Sequence, residues 1–282
     1  MRKIVSVIAS KPTLEGAGVK LKRVFGPREV PRFDPFLLLD HFGSDDPDDY
    51  IKGFPWHPHR GIETVTYMIR GEVEHGDSMG NKGVIRSGDT QWMTAGSGII
   101  HQEMPRRFKG DMMGFQLWVN LPRKQKMTEP RYRSITKEDV VSVSRGDARI
   151  TVIAGKIGNR NGPVKDLFVD AEYFEVHLSG KFEHHTAKRT SFVYVYEGSI
   201  TIGGTKVGPD HCALLEEHGD ILITGNAKFI FVAGNPLKEP VSWGGPIVMN
   251  TEEELQEAFR ELDDGTFIKG HTPPHVTEDF YR

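Results

Sequence analysis

The sequence predicts an all-β protein built as two similar halves, and three observations carry that prediction. Short runs rich in β-branched and aromatic residues, such as ETVTYMI over 63–69 and FQLWVNL over 115–121, recur between turn signals. That is the pattern of a β-sandwich or barrel. Glycine, at 31, and proline, at 17, supply many turns. Finally, WHPHRGIETVTYMIRGEV from Trp56 sets against EHHTAKRTSFVYVYEGSI from Glu183 with a constant offset of 127, so that His57 falls on His184 and Gly71 on Gly198.

In chain order, residues 4–8 read as a strand, and VKLKRVF over 19–25 alternates apolar and basic residues as a half-buried strand does. The apolar run over 36–39 fits a strand covered on both faces, and SDDPDDY after it is an acidic surface loop. A strand over 63–69 leads to a polar hairpin, EHGDSMGNKG. QWMTA and IIHQEM are two strands joined by a tight GSG loop, and 115–121 ends the first half at Pro122. The charged stretch 124–133 reads as a linker, which divides the chain into residues 1–133 and 134–282 with the boundary near 125–145. Strands resume over 150–154, 168–178, 191–195, 200–202, 212–215, 221–224 and 229–233. One helix stands out near the end. Thr251 and Glu254 form a capping box, Leu255, Ala258, Phe259 and Leu262 make one apolar stripe, and Gly265 stops it. The tail HTPPHVTEDFYR is expected to run extended over the surface.

Composition excludes several classes. A net charge of −3 gives no basic field with which to hold nucleic acid directly. No apolar run approaches a membrane span, and the N-terminal IVSVIA is too short for a signal peptide. The single cysteine, Cys212, precludes an internal disulfide and lies in an apolar run, as a buried inert thiol does. The expectation is a cytoplasmic monomer, or a nuclear one in a eukaryote.

The chemistry concentrates between Pro55 and Glu103. His57 and His59 are spaced i, i+2, as are His101 and Glu103. On extended strands each pair shares a face, so two facing strands would aim three imidazoles and a carboxylate at one point. Mixed imidazole and carboxylate ligation suits iron, manganese, copper, nickel or zinc. Glu63 is a rival carboxylate of the same parity as His59. It lies roughly 13 Å further along a straight strand at about 3.3 Å per residue, and only a bend at Gly61 would bring it in. Glu103 is therefore favoured, with Glu63 left as a supporting or a surface residue. In the second half the chemistry is lost, because His59 falls on Thr186 and Glu63 on Thr190. Of the remaining histidines, His41, His75, His184, His185, His271 and His275 read as surface or core groups without a histidine or acidic partner. Phe54, Trp92, Met113 and Phe115 read as core more readily than as pocket wall.

The stretch PWHPHRGIETVTYMIRGEVEHGDSMGNKGVIRSGDTQWMTAGSGIIHQEMP, preceded by RFDPFLLLDHFG and followed by FQLWVNLP, resembles the pirin family of the cupin superfamily. SWGGPIVMNTEEELQEAFRELDDGTF resembles the pirin C-terminal region. The resemblance implies two tandem cupin β-barrels, jelly-roll-like double-stranded β-helices, with a short C-terminal helix. It places the family's four metal ligands on His57, His59, His101 and Glu103 in the N-terminal barrel, and leaves the C-terminal barrel without a metal. It makes Fe(II) the expected ion, although the ligand types equally accept Mn, Ni, Cu, Co or Zn. Four protein ligands on an octahedral ion leave two positions open, as a catalytic site requires. The resemblance implies cleavage of a flavonol-like substrate with O₂, as by a quercetin 2,3-dioxygenase, with Glu103 as ligand and general base. The alternative it implies is a metal- or redox-responsive module that binds a protein partner, in the manner of a transcription co-regulator.

Overall fold

In the computed structural model, which describes residues 1–270 together with Val276 and Phe280, the chain forms two compact β units. One holds residues 1–11, 24–37 and 138–237, and the other holds 12–23, 38–137 and 238–282. The change of unit within the middle of the chain falls at 137/138, close to the expected 133/134, but each terminus belongs with the opposite half. Strand Ile4–Ala9 pairs antiparallel with His211–Leu215 and closes the edge of the sheet built by the second half. The division into 1–133 and 134–282 is corrected accordingly: an edge strand completes whichever sheet offers it open backbone groups, wherever it lies in the sequence.

Apart from a two-stranded sheet, Lys156–Ile157 with Arg160–Asn161, the unit built mainly from the second half is one eight-stranded antiparallel sheet. Its path runs Ile4–Ala9, His211–Leu215, Thr190–Ile202, Ile221–Gly234, Glu172–His184, Ala148–Ala154 and Val141–Arg145, with Thr205–Val207 beside Thr190–Ile202. The short strands expected over 191–195 and 200–202 are a single strand of 13 residues. Those over 221–224 and 229–233 are likewise a single strand of 14 residues. The ladder bulges at Tyr196, where the register shifts between Val195 and Glu197, and pairing continues through Gly198 opposite Ala227. The interior is apolar, built around Phe174, Phe182, Phe229 and Phe231.

Beside a small sheet, Ser242–Gly244 paired with Ile247–Met249, the other unit has two large sheets. One runs Arg131–Ile135, Thr90–Thr94, Ile62–Arg70, Met112–Asn120, Phe36–Ser44, Val19–Phe25 and Lys11–Glu15, and the other runs Phe54–His59, Ile99–Pro105, Glu72–Asp77 and Lys82–Arg86. The stretch read as a linker contributes Arg131–Ile135, an edge strand whose two arginines are half-buried, Arg133 against Glu63. Gly61, at φ +78, separates Phe54–His59 from Ile62–Arg70 and sends the chain from one sheet to the other. The helix Glu252–Asp263 has the expected capping box at Thr251 and Glu254, and Leu255 and Ala258 are buried. These are two cupin-type β domains in tandem with a short C-terminal helix. The expected surface tail falls largely outside the described residues. Among the described residues no helix is long and apolar enough to cross a membrane.

Candidate metal centre

Strand Phe54–His59 lies at the edge of the four-stranded sheet, where the missing N–H groups of Pro55 and Pro58 do least harm to the ladder. It pairs with Ile99–Pro105 so that His57 stands opposite His101 and His59 opposite Ile99. Strand parity puts all three imidazoles on one face. Ring centroids are 4.3 Å apart for His57 and His101, 4.9 Å for His57 and His59, and 5.0 Å for His59 and His101. One nitrogen from each ring lies within 4.8 Å of the others, and this is the one such cluster among the described residues.

The hydrogen bonds fix which nitrogen is free. A carbonyl oxygen only accepts, so Nδ1 of His57 donates to Pro55 O at 2.8 Å and Nδ1 of His59 donates to Pro246 O at 3.1 Å. Each ring then presents an unprotonated Nε2, as a metal ligand must. His101 is buried with neither ring nitrogen hydrogen-bonded. An unmet imidazole in a buried site is costly, and a divalent ion is the partner this donor set fits. Loss of water around the rings pushes His57 down to about 4 and His59 to about 3, and holds His101 well below the usual histidine range; mutual repulsion among the rings adds to it. All three are neutral near pH 7, the form that coordinates.

Glu103 follows His101 by two residues, with a register shift between them, and is buried. Burial raises its pKa, while the Thr66 hydroxyl, at 2.9 Å from Oε1, opposes the rise. Oγ1 of Thr66 also lies 2.6 Å from Gln116 Oε1. One hydroxyl proton cannot serve both oxygens. Turning the Gln116 amide so that its NH₂ donates to Thr66, which donates in turn to Glu103, resolves the conflict.

Further side chains surround this group. Gln91 donates through Nε2 to His75 Nδ1 at 2.7 Å, and His75 Nε2 donates to Asp77 at 3.1 Å. Asp77 is held in turn by the backbone N–H groups of Met79 and Asn81. The His75 ring stacks on Tyr132 at 4.7 Å and lies 5.6 Å from His101. Trp118 meets His59 edge-on at 5.0 Å, and Trp243 lies 5.8 Å from Trp118.

Several expectations change here. Glu63 is fully buried and is no surface residue. It sits opposite Thr94 and Val119, one position out of phase with Thr66, and so faces away from Glu103. There it accepts from Thr94 at 2.6 Å and from Arg133 at 3.0 Å. His75 does have an acidic partner, Asp77, and the spacing H-x-D in EHGD carried that signal. His184 pairs with Glu172 at 2.8 Å and His185 with Asp220 at 2.5 Å. His41 is buried against Phe115, whereas His271 and His275 lie outside the described residues. In the acidic loop, Asp49 pairs with Lys20 at 2.6 Å. Cys212 is buried, which pushes its thiol up and keeps it inert. Trp92 and Phe115 are core, as read, while Phe54 and Met113 are half-buried.

Comparison with known proteins adds the following. The Pirin family model matches residues 18–119, and the Pirin C-terminal cupin domain model matches residues 173–268. A Pseudomonas aeruginosa protein provisionally named a quercetin 2,3-dioxygenase is 42% identical over 277 residues, covering 94% of this chain and 97% of its own. Human pirin is 37% identical, covering 94% of each chain. A crystal structure described as quercetin 2,3-dioxygenase from Acinetobacter baumannii superposes with a TM-score of 0.87 at 33% identity, covering 95% of this chain and 98% of its own.

Proposed function

The chain belongs to the pirin family, and from that premise we propose that it is a metal-dependent oxidoreductase that opens the central ring of a flavonol or related substrate with O₂. The observation that carries the reading is the convergence of three neutral imidazoles, one of them with both nitrogens unmet. Relatives named as quercetin 2,3-dioxygenases at 42% and 33% identity support the substrate class.

His57, His59 and His101 would hold a divalent ion, iron by preference, and Glu103, which stands outside the 4.8 Å cluster of ring nitrogens, would complete the set. When bound, the ion supplies open coordination positions and the electron transfer that a reaction between an organic substrate and O₂ requires. The protein's own groups do the rest. Glu103, its basicity raised by burial, accepts the proton that a flavonol hydroxyl gives up on binding. Thr66 holds one carboxylate oxygen and leaves the other to take that proton. Trp118, beside His59, offers a flat apolar face to a planar ring.

Iron-loaded protein mixed anaerobically with quercetin and then opened to air tests the reading. The flavonol absorbance is expected to fall with release of carbon monoxide. No consumption with iron, manganese, nickel, copper, cobalt or zinc would reject it.

A further inference from the structure

We propose that the segment from Ser242 to Phe267 is a positioning strap for the metal centre, one that sets the ring of His59 from 187 residues away, with Arg60 and Lys126 as its two anchors. The proposal rests on the reading of the three imidazoles as ligands.

The three rings are oriented differently. His57 leans on the carbonyl of Pro55, two residues back on its own strand, and His101 has no hydrogen-bond partner. His59 takes its tautomer from Pro246 O, at the turn between strands Ser242–Gly244 and Ile247–Met249. That hairpin is tied to the ligand strand directly. Val248 N donates to Arg60 O at 3.1 Å, beside an isolated parallel bridge between Arg60 and Ile247.

Two buried cations hold it there. Lys126 spends its three protons on Gly61 O at 2.9 Å, Asn120 Oδ1 at 2.5 Å and Val248 O at 2.9 Å. One ammonium thus joins the turn after His59 to the strap. Arg60 donates through Nε to Ser97 O at 2.7 Å, and through Nη2 to Glu261 Oε2 at 2.6 Å and Phe267 O at 2.9 Å, with its guanidinium 4.1 Å above the Phe267 ring. Glu261 belongs to the helix Glu252–Asp263, so that helix is fastened to the residue next to a ligand. The fit is close: a Cβ on Gly61 would stand 2.0 Å from Val248 O. Trp243 against Trp118, and Trp118 against His59, press the same ring from the side. Partners that orient a ligating histidine fix its tautomer, and their loss typically weakens metal binding about 10- to 100-fold.

The test uses the full chain with two variants, Glu261→Ala and Lys126→Met, which loosen the strap from opposite ends; Glu257→Gln, at an exposed ion pair of the same helix, is the control. Zinc affinity, measured by competition with a chelator, is expected to fall about tenfold or more in each variant and to hold in the control. In metal-free protein, imidazole ¹⁵N spectra are expected to show the single Nδ1–H tautomer of His59 giving way to a mixture while His57 keeps its own. If Lys126→Met does not fold, Glu261→Ala decides. Folded variants with native zinc affinity and one His59 tautomer would overturn the strap. A wild-type chain that binds no metal would instead overturn the ligand reading, and the tautomer measurement would still judge the strap.

Discussion

At matched positions the two β units treat a strand-end histidine in opposite ways. His57 and His59 correspond, at the offset of 127, to His184 and Thr186. In the second pair the Nε2 of the ring and the hydroxyl are met from within. Glu172 accepts from His184 at 2.8 Å and from Thr186 at 3.0 Å. Arg2 caps the carbonyls of Thr186 and Lys188 at 2.8 Å each, and donates to Ser191 Oγ at 2.8 Å. Phenylalanines 174 and 231 flank the His184 ring, each 5.3 Å from it. In the first pair the interior is polar, with Thr66, Gln91 and Gln116, and ring nitrogens are left over. A histidine becomes a ligand by what its neighbours withhold: a carboxylate within reach consumes the imidazole, and its absence leaves the nitrogen to an ion.

The comparison can be broken hardest at His101, which lacks any other partner. His101→Ala is expected to reduce metal content to background by elemental analysis, while His184→Ala leaves it unchanged. Next comes Glu172→Leu, which strips both His184 and Thr186 of their acceptor. It is expected to lower unfolding free energy by about 1–3 kcal/mol, the range for buried groups left unsatisfied, with metal content intact; a denaturant titration beside elemental analysis reads both.

Acid sharpens the contrast further. The folded-state pKa values of His57 and His59, about 4 and about 3, lie below the ordinary histidine value. The unfolded chain therefore binds more protons than the folded one as pH falls below about 6.5. The stability these rings support is whole above that pH and is lost as pH falls toward their folded values. Denaturant midpoints of metal-free protein are expected to drop across that window, and to drop less in His57→Asn. The smallest effect is expected from Thr186→His. It restores an i, i+2 pair, but Glu172 remains beside His184, so the metal stoichiometry should stay that of the wild type. A second equivalent of bound metal would show that spacing alone makes the site.

Much of this was legible along the chain. Period-two alternation marks the strands, the capping box marks the helix, and the parity of His57, His59 and His101 puts three rings on one face because strand geometry is local. What escaped depends on pairing. Thr66 meets Glu103, and Gln91 meets His75, only because of how separate strands line up. The linker reading of 124–133 fails because the acceptor that draws Arg133 into the sheet, Glu63, lies 70 residues away. Glu63 was undecided because a bend at Gly61 can aim the next strand either way; only the bond to Arg133 shows which. Nothing local in the sequence marks Arg60 and Lys126, because Glu261, Phe267 and Val248, which accept from them, lie far along the chain.

The exchange of terminal segments has a consequence for biosynthesis. The unit that carries the imidazoles includes residues 238–282, which follow the whole of the other unit, and that unit includes residues 1–11. The second-half unit is complete once residue 237 has emerged, whereas the unit that carries the imidazoles waits for 238–282, however early its own strands emerge. A nascent chain halted near 237 would carry all three rings but lack the carbonyl that turns one of them. A chain halted at that length is thus predicted to retain metal less firmly than one that includes residues 238–282.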